Sequence, residues 1–184
     1  MRKVSSREYD SMRIRPALVS DAPDICSLVN HYAELGRMLH RSLESVYMHL
    51  RDFVVARDDD GTMLGCVAMT LFWADLAEVK SLAVAPEARG KGVGGRLVEA
   101  AVDDARRLGV KRVFALTYEK DFFLRQGFSV IDRDTLPEKV WRECFACPRF
   151  DACDEIAMMR RICPDASASR GDLRCNSQPT PARP

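Results

Sequence analysis

Arg89-Gly90-Lys91-Gly92-Val93-Gly94-Gly95 constrains this chain more than any other stretch. It directly follows an extended apolar segment, Leu76 to Ala85, and opens a long amphipathic one. Four glycines in six positions let the backbone approach a ligand closely, because no Cβ blocks the way. At a helix start the free N–H groups and the positive dipole end point outward together, which makes a seat for phosphate. Arg89 and Lys91 add charge to that seat. The spacing excludes two nucleotide-binding loops: neither Gly-x-x-x-x-Gly-Lys-Ser/Thr nor Gly-x-Gly-x-x-Gly occurs. What remains is a strand, a pyrophosphate cradle and a helix in succession.

The 184 residues suit one domain with a substantial core. Apolar residues at 47% and charged ones at 30% are ordinary for a soluble globular protein. Twenty-eight Lys plus Arg against twenty-seven Asp plus Glu leave a net charge of +1, which argues against broad nucleic-acid binding. No apolar run approaches the ~20 residues needed to span a bilayer, so no membrane partner is expected. Met1 to Asp10 is polar and lacks the apolar core of a secretory signal. The expected location is a reducing cytoplasm, where structural disulfides are uncommon. Seven cysteines are an odd number, and Cys26 and Cys66 sit in apolar segments as packing thiols.

Residues 1–11 read as a flexible leader, 12–164 as the domain and 165–184, rich in Ser, Pro, Arg and Asp, as a disordered tail. Arg13 to Pro16 suits a short strand. Ser20 is the expected N-cap of a helix carrying Ile25, Leu28, Val29 and Tyr32 on its apolar stripe, broken at Gly36. A short helix follows over Leu43 to Leu50. Phe53 to Ala56 and Met63 to Trp73 form a hairpin around Asp58-Asp59-Asp60-Gly61. After the glycine loop, Leu97, Val98, Ala101, Val102, Ala105 and Leu108 recur at helical spacing until Gly109. Arg112 to Tyr118 is the next strand, Asp121 to Gln126 a short helix, and Phe128 to Asp132 is extended. Pro137 to Phe145 reads as helix and Glu155 to Ile162 as a last strand. This order predicts an α+β domain around a central mixed sheet.

Strand Glu78-Val79-Lys80-Ser81-Leu82-Ala83-Val84, then Pro86, then Arg89-x-x-Gly92-x-Gly94 and a helix, resembles the GCN5-related N-acetyltransferase superfamily. Its signature is Gln/Arg-x-x-Gly-x-Gly/Ala, and Phe123-Leu124-Arg125-Gln126-Gly127-Phe128 downstream fits the same pattern. The resemblance covers roughly residues 12–162 and implies a mostly antiparallel sheet flanked by helices, with acetyl-coenzyme A as co-substrate. It implies that Arg89, Gly90, Lys91, Gly92, Val93, Gly94 and Gly95 hold the pyrophosphate. It also implies that the strand splays from its neighbour, so that backbone groups of Leu82, Ala83 and Val84 take the pantetheine arm.

Within the superfamily, three segments look like the acetyltransferase domain of N-acetylglutamate synthase, the first enzyme of arginine biosynthesis. They are Gly36-Arg37-Met38-Leu39-His40-Arg41-Ser42, the Glu78 strand, and Phe114-Ala115-Leu116-Thr117 with Phe122-Phe123, Gly127-Phe128 and Leu136-Pro137-Glu138. The likeness implies a short stand-alone form, without an amino-acid-kinase domain upstream. It implies L-glutamate as the small-molecule partner and transfer of acetyl to its α-amine in a ternary complex. Two rivals stay open: an acetyltransferase for another amino acid, a polyamine or a protein amine, and a coenzyme-A-binding sensor without catalysis. A homodimer is also open.

The resemblance assigns residues to each task. Glu78 is the expected general base; its alternative is an ion pair with Lys80 or Arg112. A backbone N–H near Leu82 meets the oxyanion. Most superfamily members place a Tyr at position 123 as general acid, but Phe123 cannot donate a proton, which leaves Tyr118 or water. A substrate with two carboxylates calls for Arg in bidentate geometry. Arg41 and Arg149 are the candidates, with the Leu39 carbonyl and Ser81 as further acceptor contacts. Cys144-x2-Cys147-x5-Cys153, with Cys163 ten residues on, lacks the second pair of a usual zinc site. No metal ligand is assigned; a structural metal clip, a redox-sensitive cluster and packing thiols stay open. His31, His40 and His49 match no metal motif, and His40 beside Arg41 is a pocket candidate.

Overall fold

A computed structural model of the chain describes residues 12–136, 144–145, 147 and 152–162. The leader, nearly all of the expected helix over 137–145, Arg149, Cys163 and the tail lie outside the described residues. Among the described residues seven strands form one sheet: β1 Arg13–Pro16, β2 Phe53–Arg57, β3 Met63–Trp73, β4 Leu76–Val84, β5 Arg112–Thr117, β6 Ser129–Val130 and β7 Ile156–Arg161. Their order is β1-β2-β3-β4-β5-β7-β6. The β4–β5 pair is parallel and the other five are antiparallel. Helices α1 Ala22–Glu34, α2 Leu43–Met48, α3 Val93–Arg107 and α4 Lys120–Arg125 complete the α+β fold. No helix among the described residues is long and apolar enough to cross a membrane.

Side-chain alternation along the strands assigns two faces. On one, α3 lays Leu97, Val98, Ala101, Val102 and Ala105 over Val67, Met69, Ala77, Val79 and Val113. On the other, α1 and α2 lay Ile25, Val29, Tyr32 and Val46 over Phe53, Val55, Cys66, Ala68 and Ala83. Farther along that second face, Leu76, Phe114, Leu136 and Ala157 make a separate small core with Phe72 against it. A gap between these two cores is therefore built into the second face.

The start of α1 corrects one expectation. Ser20 is exposed and does not cap the helix; a 3-10 turn, Val19–Asp21, precedes it and Asp21 stands at the N-cap. The buried Asp21 carboxylate accepts from Leu18 N at 2.7 Å, Arg15 Nη1 at 2.6 Å and Arg57 Nε at 2.8 Å. The Asp21 side chain makes no cap bond to the helix; charge-assisted bonds to two guanidiniums hold it in place instead. The hairpin turn follows expectation: Asp58 Oδ1 accepts from Thr62 N at 2.7 Å and Gly61 has a φ of +83°.

β4 carries the irregularity that matters most. Cys66 pairs with Ala83 and Ala68 with Lys80, so Ser81 and Leu82 together oppose the single residue Val67. This is a β-bulge. Ser81 has a φ of +51°, the one positive value at a non-glycine among the described residues. The bulge inverts the alternation of the strand. Before it, Leu76 belongs to the second face; after it, Ala83 does, while Leu82 and Val84 pack toward α3. β4 also parts from β5: their pairing runs through Leu76–Arg112, Ala77–Val113 and Glu78–Phe114, whereas β5 stays paired with β7 as far as Thr117.

Candidate active site

Glu78 and Lys80 share the second face with Leu76 and stand in the gap between its two cores. Cross-strand pairing sets Thr70 opposite Glu78 and Ala68 opposite Lys80, with Phe53 of β2 beside Ala68. Glu78 is only 8% exposed, and Lys80 Nζ lies 3.3 Å from its Oε2. Of the two cations expected as partners, Lys80 takes the role; Arg112 bonds Asp75 at 2.8 Å instead. The Lys80 ammonium also stands 5.5 Å from the centroid of the Phe72 ring. Beside this pair lies a cavity of about 190 Å³ floored by Phe53, Ala68 and Thr70. Arg41, Lys80, His49 and Asp52 supply its charged walls. That volume is well below the ~300–1,000 Å³ of pockets for drug-sized ligands and suits a single small metabolite.

Arg41 is held with care. Asn30 of α1 reads its backbone from both sides: Asn30 Oδ1 accepts from Arg41 N and Asn30 Nδ2 donates to Arg41 O, each at 2.9 Å. The Cys26 thiol donates to the same carbonyl at 3.4 Å. So fixed, Arg41 donates from Nε to Ser81 Oγ at 3.0 Å and lies over Phe53, 5.8 Å from its centroid. Arg41 and Ser81, expected as acceptor contacts, are thus brought together across forty residues. Leu39 sits exposed in the same loop. His40 turns away, to Glu34 at 2.6 Å, and His49 lines the cavity in its place. Asn30, His49, Asp52 and Thr70 were not singled out by the sequence. The one signal for Asn30 was a polar amide among the apolar positions of α1, a residue type that competes for nearby backbone groups.

The glycine loop has the conformation its composition demands. Gly90 and Gly92 have φ of +74° and +81°, and Gly92 is the N-cap of α3. The first helical bond runs from Arg96 N to Gly92 O at 3.1 Å, so the amides of Val93, Gly94 and Gly95 lack intrahelical partners. Val93 buries its side chain and offers backbone alone. Gly94 and Gly95 serve packing as well, since a Cβ there would meet Phe122 at 3.3 Å and Gln126 at 3.2 Å. Arg89 lies over the Tyr32 ring, 5.6 Å from its centroid, and Tyr32 OH donates to Val84 O at 2.5 Å.

Phe123 is buried and meets Phe122 and Phe128 edge-on, at centroid distances of 5.2 and 5.1 Å. Tyr118, just past β5, is exposed. Complete burial pushes the Cys66 thiol up to about 12. Burial also raises Cys144, against the pull of Arg133, whose Nη2 lies 3.9 Å from its sulfur; the charge of Glu78 adds to the rise. Cys153 Sγ lies 3.7 Å from Glu155 Oε2. Among the described residues no group of three or more His, Cys, Asp or Glu is placed to hold a metal ion.

Comparison with known proteins is consistent with this arrangement. The model of the acetyltransferase (GNAT) family matches residues 24–128. An uncharacterized N-acetyltransferase of Chlorobaculum tepidum is 44% identical over 81% of this chain and 96% of its own length. An amino-acid acetyltransferase of Mycobacterium tuberculosis is 37% identical over 75% of this chain and 79% of its own. Among solved structures, Rv2747 of Mycobacterium tuberculosis in complex with CoA superposes with a TM-score of 0.72 at 31% identity, covering 82% of this chain and 99% of that one. N-acetylglutamate synthase from Neisseria gonorrhoeae, complexed with coenzyme A and N-acetyl-glutamate, gives a TM-score of 0.75 at 34% identity. The match covers 82% of this chain and 35% of the Neisseria chain. With its splayed β4, its glycine loop and these relatives, the chain belongs to the acetyltransferase (GNAT) family.

Proposed function

We propose that this chain is an N-acetylglutamate synthase of short form, which transfers acetyl from acetyl-coenzyme A to the α-amine of L-glutamate within a ternary complex. Acetyl-coenzyme A supplies the thioester. The amides of Val93, Gly94 and Gly95, with Arg89 and Lys91, seat its pyrophosphate at the start of α3. Backbone groups of Leu82, Ala83 and Val84, along the stretch of β4 that leaves β5, take the pantetheine arm. The open positions Gly90 and Gly92, where a Cβ would find nothing within 4 Å, support a loop shaped for close approach.

Glu78 accepts the proton of the acceptor ammonium, directly or through water. An amide near Leu82 stabilises the oxyanion. Arg41 grips an acceptor carboxylate with the guanidinium edge left over from Ser81, and the Leu39 carbonyl takes the amine on its way in. Tyr118 or water protonates the departing thiolate; buried Phe123 cannot. Arg149 is proposed as a second carboxylate contact and lies outside the described residues.

One observation carries the reading: the Arg41 guanidinium, bonded to Ser81 from a backbone that Asn30 holds, walls the same small cavity as Lys80, the ion-pair partner of Glu78. Release of the coenzyme A thiol from acetyl-coenzyme A across a panel of amino acids, polyamines and peptides tests it. Turnover with glutamate is expected. Turnover with another amine in its place would sink the glutamate assignment, and coenzyme A binding without turnover on any amine would leave the sensor reading.

A further inference from the structure

We propose that Lys80 is a specificity-determining residue whose ammonium is contested between Glu78 and a carboxylate of the acceptor, so that docking of the right acceptor releases the base. The inference rests on the proposed reaction and adds to it a link between substrate choice and proton removal.

The geometry sets up the contest. Lys80 Nζ is 3.3 Å from Glu78 Oε2, and the two side chains are 19% and 10% exposed. A cation this close favours the charged carboxylate and so weakens it as a base. In a site largely closed to water the effect is stronger than at a surface. Left in this pair, Glu78 is a poor proton acceptor.

Lys80 also walls the acceptor cavity. Arg41 commits Nε to Ser81, and its remaining edge serves one carboxylate in the bidentate manner. A second carboxylate needs a second cation; beside Arg149, proposed above, Lys80 and His49 are the candidates among the described residues that line the cavity. His49 is half-exposed and lies 3.7 Å from Asp52, whose Oδ2 also accepts from Thr70 Oγ1 at 3.0 Å. Lys80 is the buried alternative, and its flexible stem lets the ammonium swing a short way while staying near the Phe72 ring.

The charged groups around Glu78 make the sign of the effect plain. Lys80 faces it from its own strand and Cys144 from the segment before β7, with Arg133 behind, while Arg41, His49 and Asp52 line the cavity beside the pair. When an acceptor carboxylate draws Lys80 away, a positive charge 3.3 Å from Glu78 leaves it. Its affinity for a proton rises as the ammonium that will supply one arrives. The proton passes from that nitrogen to Glu78, and the nitrogen lone pair becomes free to attack. An acceptor without the carboxylate leaves the pair closed.

Steady-state kinetics of wild type, Lys80→Met and Lys80→Arg with glutamate and glutamine test this, with acetyl-coenzyme A KM as control. Loss of a charged contact predicts a rise of about tenfold or more in glutamate KM for Lys80→Met, with little change for acetyl-coenzyme A. The glutamate-over-glutamine preference should narrow, and the acidic limb of the pH–rate profile should move to higher pH. Lys80→Arg should restore the preference. Unchanged glutamate KM together with an unmoved limb would overturn the proposal, as would an equal rise in both KM values. If wild type acetylates another amine but not glutamate, the glutamate reading fails alone, and the limb shift with that amine still decides Lys80. Binding of coenzyme A with no turnover on any amine overturns both.

Discussion

Arg41 Nε donates to Ser81 Oγ at 3.0 Å, which ties the loop after α1 to a bulge residue of left-handed conformation. The bond spans two elements that would otherwise move independently, and it orients a cation on one wall of the acceptor cavity. Its removal should be read in substrate binding before it is read in stability.

Arg41→Ala is expected to raise the glutamate KM far more than the acetyl-coenzyme A KM, and equal effects would refute the carboxylate clamp. Ser81→Gly relieves the φ of +51° but deletes the hydroxyl, whereas Ser81→Ala deletes the hydroxyl and keeps the strain. Both should raise glutamate KM by about tenfold, the worth of a hydrogen bond to a charged group. Thermal unfolding should rank the glycine variant above the alanine one.

Glu78→Gln keeps the shape of the side chain and removes its basicity. The rate with glutamate should fall by about 10²–10⁴ at neutral pH and recover as alkaline pH supplies free amine. A loss that is constant across the profile would assign Glu78 to structure.

Two glycines separate packing from ligand approach. A Cβ at Gly65 would stand 2.8 Å from Ala83 O and 2.9 Å from Leu97 Cδ1, so Gly65→Ala should destabilise by about 1–3 kcal/mol. That corresponds to about 2–4 °C in melting temperature per kcal/mol. At Gly92 nothing crowds the Cβ but φ is +81°. Gly92→Ala should cost about 1–2 kcal/mol and raise acetyl-coenzyme A KM while sparing glutamate KM. Unchanged acetyl-coenzyme A KM would remove the loop from the cofactor site.

Asp21 gives the fold an acid dependence. Burial alone would raise its carboxyl, but Arg15, the Leu18 amide and Arg57 outweigh it and hold the group at about 2 instead of 3.8. A depressed carboxyl stabilises the fold above its unfolded value and loses that contribution as pH falls through the folded one. The stability at stake is roughly 2 kcal/mol. In urea titrations across acid pH, wild type should exceed Asp21→Asn near neutrality, and the gap should narrow between pH 3.8 and about 2. A gap independent of pH would contradict the linkage.

The sequence made the fold legible because its signals were local. Leu97, Val98, Ala101, Val102 and Ala105 announce α3 by spacing, and Asp58 to Gly61 announces its turn by residue type. Where a local signal lost, distant partners won, as when Arg15 and Arg57 fixed Asp21 at the N-cap position and left Ser20 outside it. The candidate site was legible in part. Glu78, Arg41, Ser81 and the glycine loop stood inside family motifs. Asn30, His49, Asp52 and Thr70 join the site through sheet register and loop contact, which no spacing along the chain encodes. Lys80 was visible only as a partner for Glu78, because its second neighbour, the cavity, exists only after α2 and β2 close over it.

The extra residue in β4 has a consequence for how this strand tolerates change. The pairings on either side of it are already in step, so the sheet itself does not need that residue. Deleting Ser81 while Cys66 stays opposite Ala83 would set Leu82 alone opposite Val67 and keep Lys80 opposite Ala68, so Glu78 and Lys80 would hold their face. What would be lost is the hydroxyl that accepts from Arg41 Nε at 3.0 Å. The bulge therefore serves the cavity more than the sheet: a single-residue gap there would unfasten Arg41 and leave the register of β4 in place.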